Sequence, residues 1–356
     1  MGHGRSARRR ARWWLVALLA APLTGCGGGG AGGSLHAYVV GAGNQALRQY
    51  SVSADGTLTP MNPASAQAGG SSIVADPAAA RLYVLAPSTV LQFDLDSGGA
   101  VRAMYPLSVA TPADASAMAI GPAGRYAYIA SFSDGTVSQY TIGGNGQLAA
   151  AATPPVAAGS NPCALVIDPT GQHVYVSNGA SDTVSQYVVG SGGALQPMAT
   201  PAVAAGSYPY AMAIDAAAHA LYVTDEAAHA VRQFSVAADG ALSPMSPASV
   251  PAAQQPMGIA VGPHGAHVYV ANRGSDNVSQ YRVGSGGALV PLGVVSVAAG
   301  RGPDAVAVDP SGRYAYVTDL YGVELLQYRI GSGGELAPLS PASVPAGTAP
   351  ADVVVR

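Results

Sequence analysis

Asn161-Pro162-Cys163-Ala164-Leu165-Val166-Ile167-Asp168-Pro169-Thr170-Gly171-Gln172-His173-Val174-Tyr175-Val176-Ser177-Asn178 reads as two short β-strands and the turn between them. The first run is apolar and ends in Asp-Pro-x-Gly, where proline sets one backbone angle and glycine accepts a positive one. The second, at residues 173–177, opens onto a polar loop at 178–182. A third strand is expected at 183–188, then the turn Gly190-Ser191-Gly192-Gly193 and a short fourth strand around residues 195–198. Strands this short, joined this tightly, form antiparallel units, because a parallel crossover needs about a dozen residues or more.

The unit recurs along the chain. Tyrosines at Tyr38, Tyr83, Tyr128, Tyr175, Tyr222, Tyr269 and Tyr316 each precede Val or Ile, and the last four stand 47 residues apart. A second marker, Gln followed by Tyr or Phe, falls at Gln49, Gln92, Gln139, Gln186, Gln233, Gln280 and Gln327. Two marker series agreeing on seven copies predict an all-β, seven-bladed β-propeller of four-stranded antiparallel blades. The first copy begins near Leu35 without its innermost strand, and the chain ends in Pro350-Ala351-Asp352-Val353-Val354-Val355, an innermost strand with nothing after it. These two ends are expected to pair and close the ring, leaving no open edge.

The residues ahead of the repeat have a different character. Arg5, Arg8, Arg9, Arg10 and Arg12 precede an apolar run at 13–23, too short for the roughly 20 residues of a membrane span but suited to a signal-peptide core. Leu23-Thr24-Gly25-Cys26 resembles a lipobox, followed by the glycine-rich 27–33. The expected organisation is a lipoprotein signal peptide at 1–25, a lipidated Cys26 and tether at 26–34, and a propeller at 35–356. The membrane is then a partner through the lipid on Cys26, and Gly27 after it points to the outer membrane, facing the periplasm. The chain contains 19 acidic residues against 16 basic ones, and five of the latter lie in the leader. Without a clustered basic surface, nucleic-acid binding is excluded. A monomer is expected.

Asp309-Pro310-Ser311-Gly312-Arg313-Tyr314-Ala315-Tyr316-Val317-Thr318-Asp319 resembles the repeat of the lactonase-type propellers. That family includes propeller 6-phosphogluconolactonases, muconate-lactonising relatives and YVTN-repeat surface proteins, and the resemblance covers the chain from the first repeat onward. Leu221-Tyr222-Val223-Thr224-Asp225-Glu226 is similar to a strand of the enzyme branch ending in Asn-Glu. Tyr316-Val317-Thr318-Asp319-Leu320 is similar to one ending in Asp-Leu-Gly, with Tyr321 here before the glycine. The resemblance implies lactone hydrolysis, with Glu226 and Asp319 in acidic positions. The enzyme branch also carries a histidine-rich Pro-His segment ahead of an innermost strand, and at the matching place here stands Gly302-Pro303-Asp304-Ala305.

Propeller topology places the loops entering each blade and the loops after its second strand at one mouth, called the top here. The residue after each entry position, a proline in five of the seven copies, is expected to line the top of the channel: Ser71, Ser116, Cys163, Tyr210, Met257, Asp304 and Ala351. Loops around it add Asp225, Glu226, His229, Arg273, Arg301, Asp319 and Glu324. Glu226, Asp319, Asp304 and Arg301 are the catalytic candidates. Tyr210, Met257, Arg273, His229, Glu324 and Cys163 are the ligand-binding candidates, for an unknown small molecule or an envelope protein. Carboxylates beside arginines can activate water against an ester or hold a polar ligand. No zinc, calcium or nucleotide motif is present, so no cofactor or metal is expected. Three functions follow: a binding or interaction scaffold at the cell envelope, a lactonase for a sugar-acid lactone, or a subunit of an outer-membrane assembly complex.

Overall fold

The computed structural model describes residues 34–356 apart from 42, 44, 45 and 218, so the leader, Cys26 and nearly all of the tether lie outside the described residues. Blade four shows the unit. Pro162–Ile167, His173–Asn178, Thr183–Val189 and Leu195–Ala204 pair antiparallel in that order. They are called strands a to d, from the axis outward. Among the described residues seven such sheets form the ring, and of these only the third has its outer strand broken, into Leu148–Ala150 and Val156–Ala157. Pro350–Val355 pairs with Leu35–Gly41, setting Val354 against Tyr38 and Asp352 against Val40, so the last strand is strand a of blade one. The ring closes as expected.

Strand d is longer than the stretch expected around residues 195–198. Ser185 faces Ala202 while Tyr187 faces Pro197, so Gln186 stands opposite a bulge at residues 198–201. A bulge breaks the backbone ladder, and the glutamine side chain bridges the gap. Its Nε2 donates to Thr200 O at 2.9 Å, and its Oε1 accepts Leu242 N from the next blade at 2.7 Å. Every marker glutamine repeats this second bond at 2.6–2.8 Å, including Gln327 back to Leu58 across the closing joint.

The marker tyrosines act at the bottom of the same joints. Each hydroxyl donates to a glycine carbonyl in the turn between strands c and d of the next blade, at 2.5–2.8 Å, from Tyr38 to Gly99 around to Tyr316 and Gly56. That glycine has no alternative at Gly240, where φ is +82° and a Cβ would lie 2.3 Å from the His173 ring of the preceding blade. His36 and His267 pack in the same way against Gly99 and Gly334, which accounts for three of the histidines. A buried polar group deprived of its partner costs about 1–3 kcal/mol. The groups that count the blades in the sequence are therefore the groups that join them.

Candidate functional site

In every blade but the second, strand a enters at the top through a bulge. Pro209 faces Asp225 and Met212 faces Val223, leaving Tyr210 and Ala211 between them, and blades six and seven repeat the shift at Met257 and Asp304. The entry ring does not line an open channel, contrary to the sequence expectation. Cys163, Tyr210 and Met257 are buried in one apolar cluster with Phe132 of the blade-three loop, and Ser71, Ser116, Asp304 and Ala351 are buried as well. These side chains are packed against neighbouring residues and do not border open space.

Above this plug lies a second ring that only register reveals. Phe132, Gly179, Glu226, Arg273 and Leu320 occupy the same position in blades three to seven, one residue after strand b. From Gly179 onward their amides donate to the carbonyls of Asn161, Tyr208, Gln255 and Gly302, which fixes the backbone of each. Phe132 and Leu320 are buried, and a Cβ on Gly179 would meet Cys163 Sγ and the Tyr208 ring, each at 3.0 Å. Glu226 and Arg273 are thus the ionisable members of the ring, on neighbouring blades.

Arg273 Nη2 bonds Asp304 Oδ1 in an ion pair in which the Asp304 side chain is 0% and the Arg273 side chain 16% exposed. Arg273 Nε and Asp304 Oδ2 are buried without a protein partner. The Tyr210 hydroxyl is driven upward in pKa by burial first, with Arg273 opposing and Cys163, Glu226 and Tyr208 reinforcing, so these groups share one electrostatic neighbourhood. Burial also pushes the Cys163 thiol up to about 12, which keeps it protonated and unfit as a nucleophile.

The remaining candidates hold loops. Asp319 Oδ1 accepts the amides of Arg301 and Gly322, both at 2.8 Å. Burial raises the Asp319 pKa, with those two amides opposing. Asp225 also holds its loop, accepting Ala228 N at 3.0 Å and Arg232 Nε at 2.8 Å. The Arg301 side chain is exposed, and Glu324 is half-buried opposite Asp319 in the ladder. His229 Nδ1 lies 3.2 Å from the amide of Gln255 and 3.0 Å from Glu226 O. Asp182 and Asp276 stand at the position of His229 and accept Tyr208 N at 2.8 Å and Gly302 N at 2.7 Å. His229 thus belongs to a series of loop clamps. The structure assembles Cys163, Tyr210, Glu226, Arg273 and Asp304 in one sector and leaves Asp319, Glu324 and Arg301 on the loops of blade seven.

The match to known proteins agrees with this architecture. The chain belongs to the Lactonase, 7-bladed beta-propeller family, whose model matches residues 35–352. Among solved structures it is similar to the periplasmic gluconolactonase PpgL of Pseudomonas aeruginosa, at 21% identity and a TM-score of 0.78, over 90% of this chain and 99% of that one. It is also similar to candidate 6-phosphogluconolactonases from Bacteroides uniformis (20% identity, TM-score 0.81, covering 91% and 100%) and Bacteroides fragilis (18%, 0.80, covering 91% and 98%). At these identities the likeness is one of fold. No curated protein matches the sequence.

Proposed function

We propose that this chain is a cell-envelope lipoprotein, anchored through Cys26, whose propeller mouth binds a compact polar ligand of the sugar-acid lactone class. The observation that carries the reading is the juxtaposition of Glu226 and Arg273 at one register position on adjacent blades. Arg273 brings a buried, unpartnered Nε beneath the same mouth. A carboxylate accepts sugar hydroxyls, and a guanidinium donates to a carbonyl or carboxylate oxygen. Membership of the lactonase family and the likeness to a periplasmic gluconolactonase support the ligand class.

Binding is favoured over turnover by the state of the sector's ionisable groups. The guanidinium already faces Asp304, the thiol is held protonated, and the matching entry segment Gly302-Pro303-Asp304-Ala305 has no imidazole. A second reading, lactone hydrolysis, is favoured by Glu226 itself, a half-buried carboxylate able to deprotonate water beside a cation. Residues 34–356 would be titrated with D-glucono-1,5-lactone and with gluconate by NMR, while lactone loss is followed against the spontaneous rate. The expected result is saturable binding that Glu226→Gln weakens about tenfold or more, with no acceleration of hydrolysis. Acceleration abolished by Glu226→Gln establishes the second reading, and absence of binding and turnover overturns both.

A further inference from the structure

The loop clamps do not serve every joint, and at the one between blades three and four the clamp position has no side chain at all. Asp182, His229 and Asp276 each meet a backbone amide of the next entry loop, those of Tyr208, Gln255 and Gly302. In blade three the same position is Gly135, at a φ of +64° close to the 58° of Asp182 and 54° of Asp276. With no side chain there, the amide of Asn161, which corresponds to that of Tyr208, has no clamp to meet. The next joint is also filled by an aromatic ring: Tyr208 lies against Gly179, whereas Asn161 stands at the corresponding place here. What remains is a groove of about 450 Å³ at the top, between blades three and four. Its size falls within the roughly 300–1,000 Å³ of small-molecule sites.

The lining sets the chemistry. Ser133, Asp134, Ser160, Asn161 and Ser181 supply hydroxyl, amide and carboxylate groups, and Phe132 adds an aromatic edge. No arginine lines the groove. Asp134 Oδ2 accepts Ser131 Oγ at 2.9 Å, and a second carboxylate, Asp114, accepts Ser133 Oγ. With the Asp134 carboxylate in the lining and no arginine there, the groove disfavours an anion. A hydroxyl group suits the site, because it can accept from the Asn161 amide and donate to a neighbouring carboxylate or carbonyl.

We propose that this inter-blade groove is a second binding site, separate from the Glu226–Arg273 sector, for the hydroxyl face of a neutral sugar or cyclic polyol. One ligand hydroxyl takes the place that the Asp182 carboxylate occupies at the next joint. The test is an NMR titration of residues 34–356 with D-glucose, N-acetyl-D-glucosamine and myo-inositol, each up to concentrations on the order of 10 mM. At least one should perturb the amides of residues 133–135 and 159–161 saturably, and to a greater extent than those of Glu226 and Arg273. Gly135→Asp rebuilds the clamp and is expected to abolish that perturbation. Asn161→Gly, compatible with the φ of +54° there, keeps the groove but loses the carboxamide and should weaken binding several-fold. No saturable perturbation by any of the three, or unchanged binding in a folded Gly135→Asp variant, overturns the proposal. Should Gly135→Asp fail to fold, unchanged binding in Asn161→Gly does so.

Discussion

Asp352→Asn is expected to remove a large pH-dependent component of stability from the joint between blades one and two. Asp352 lies in the closing strand at 1% exposure, and its Oδ2 accepts Ser72 Oγ at 3.1 Å and Ile73 N at 3.0 Å from blade two. Oδ1 accepts Val353 N at 2.8 Å. Burial dominates these three bonds and pushes the carboxyl up to about 7 from an ordinary 3.8. An acid raised in this way favours the fold while protonated. Its contribution is fully present below the unfolded value and is lost as pH rises through about 7. The interval is about three pH units at about 1.4 kcal/mol each, so wild type should lose on the order of 4 kcal/mol relative to the variant between about pH 4 and pH 8. The amide nitrogen of asparagine must face a donor, which costs about 1–3 kcal/mol and displaces the whole curve without changing its slope. Both tryptophans, Trp13 and Trp14, lie in the leader, so urea unfolding of residues 34–356 is best followed by far-UV circular dichroism. Taking the difference between the two proteins at each pH cancels the titrations they share. Parallel stability curves would refute the reasoning.

Two further outcomes follow. Tyr222→Phe leaves Gly287 O without its 2.6 Å donor and should lower stability by about 1–2 kcal/mol, read as a lower urea midpoint at constant slope; an unchanged midpoint would show that the tyrosine latches do not hold the blades. Cys26→Ser should move the protein from the membrane fraction to the soluble one, since an apolar run of this length cannot itself span a bilayer. Continued membrane fractionation would contradict a lipid anchor.

The ring was legible because its markers are structural necessities with a fixed place. Tyr175 and Gln186 recur with their spacing because each must reach a particular atom of the next blade, Gly240 O and Leu242 N. The length of strand d was not legible, because residues 198–201 sit in a bulge bridged by a side chain and show no alternation. The mouth was half legible. Glu226, Arg273 and Asp304 were identifiable as charges on top loops, but the burial of the entry ring depends on a bulge that composition does not announce. The series from Phe132 to Leu320 was present in the spacing all along. It becomes informative only once the strand ends show that these residues share one position per blade, and Tyr208, which covers Gly179, had no signal of its own. Gly135 is the reverse case, a residue whose meaning is the side chain that its counterparts have and it lacks.

The closing strand also determines which way the molecule looks. Leu35 opens strand b of blade one opposite Val52, beside the turn that holds Gly56, and Arg356 follows Val355 at the same level. Arg356 donates to Ala79 O at 2.7 Å within a bottom turn of blade two. The first and last strands of the described propeller therefore begin and end on the face opposite Glu226 and Gly135. If Cys26 carries the proposed lipid, the nine residues from it to Leu35, spanning at most about 30 Å, would hold that blunt face toward the bilayer. In that arrangement the surface carrying both proposed sites would face the surrounding compartment, where diffusing solutes arrive unobstructed by lipid.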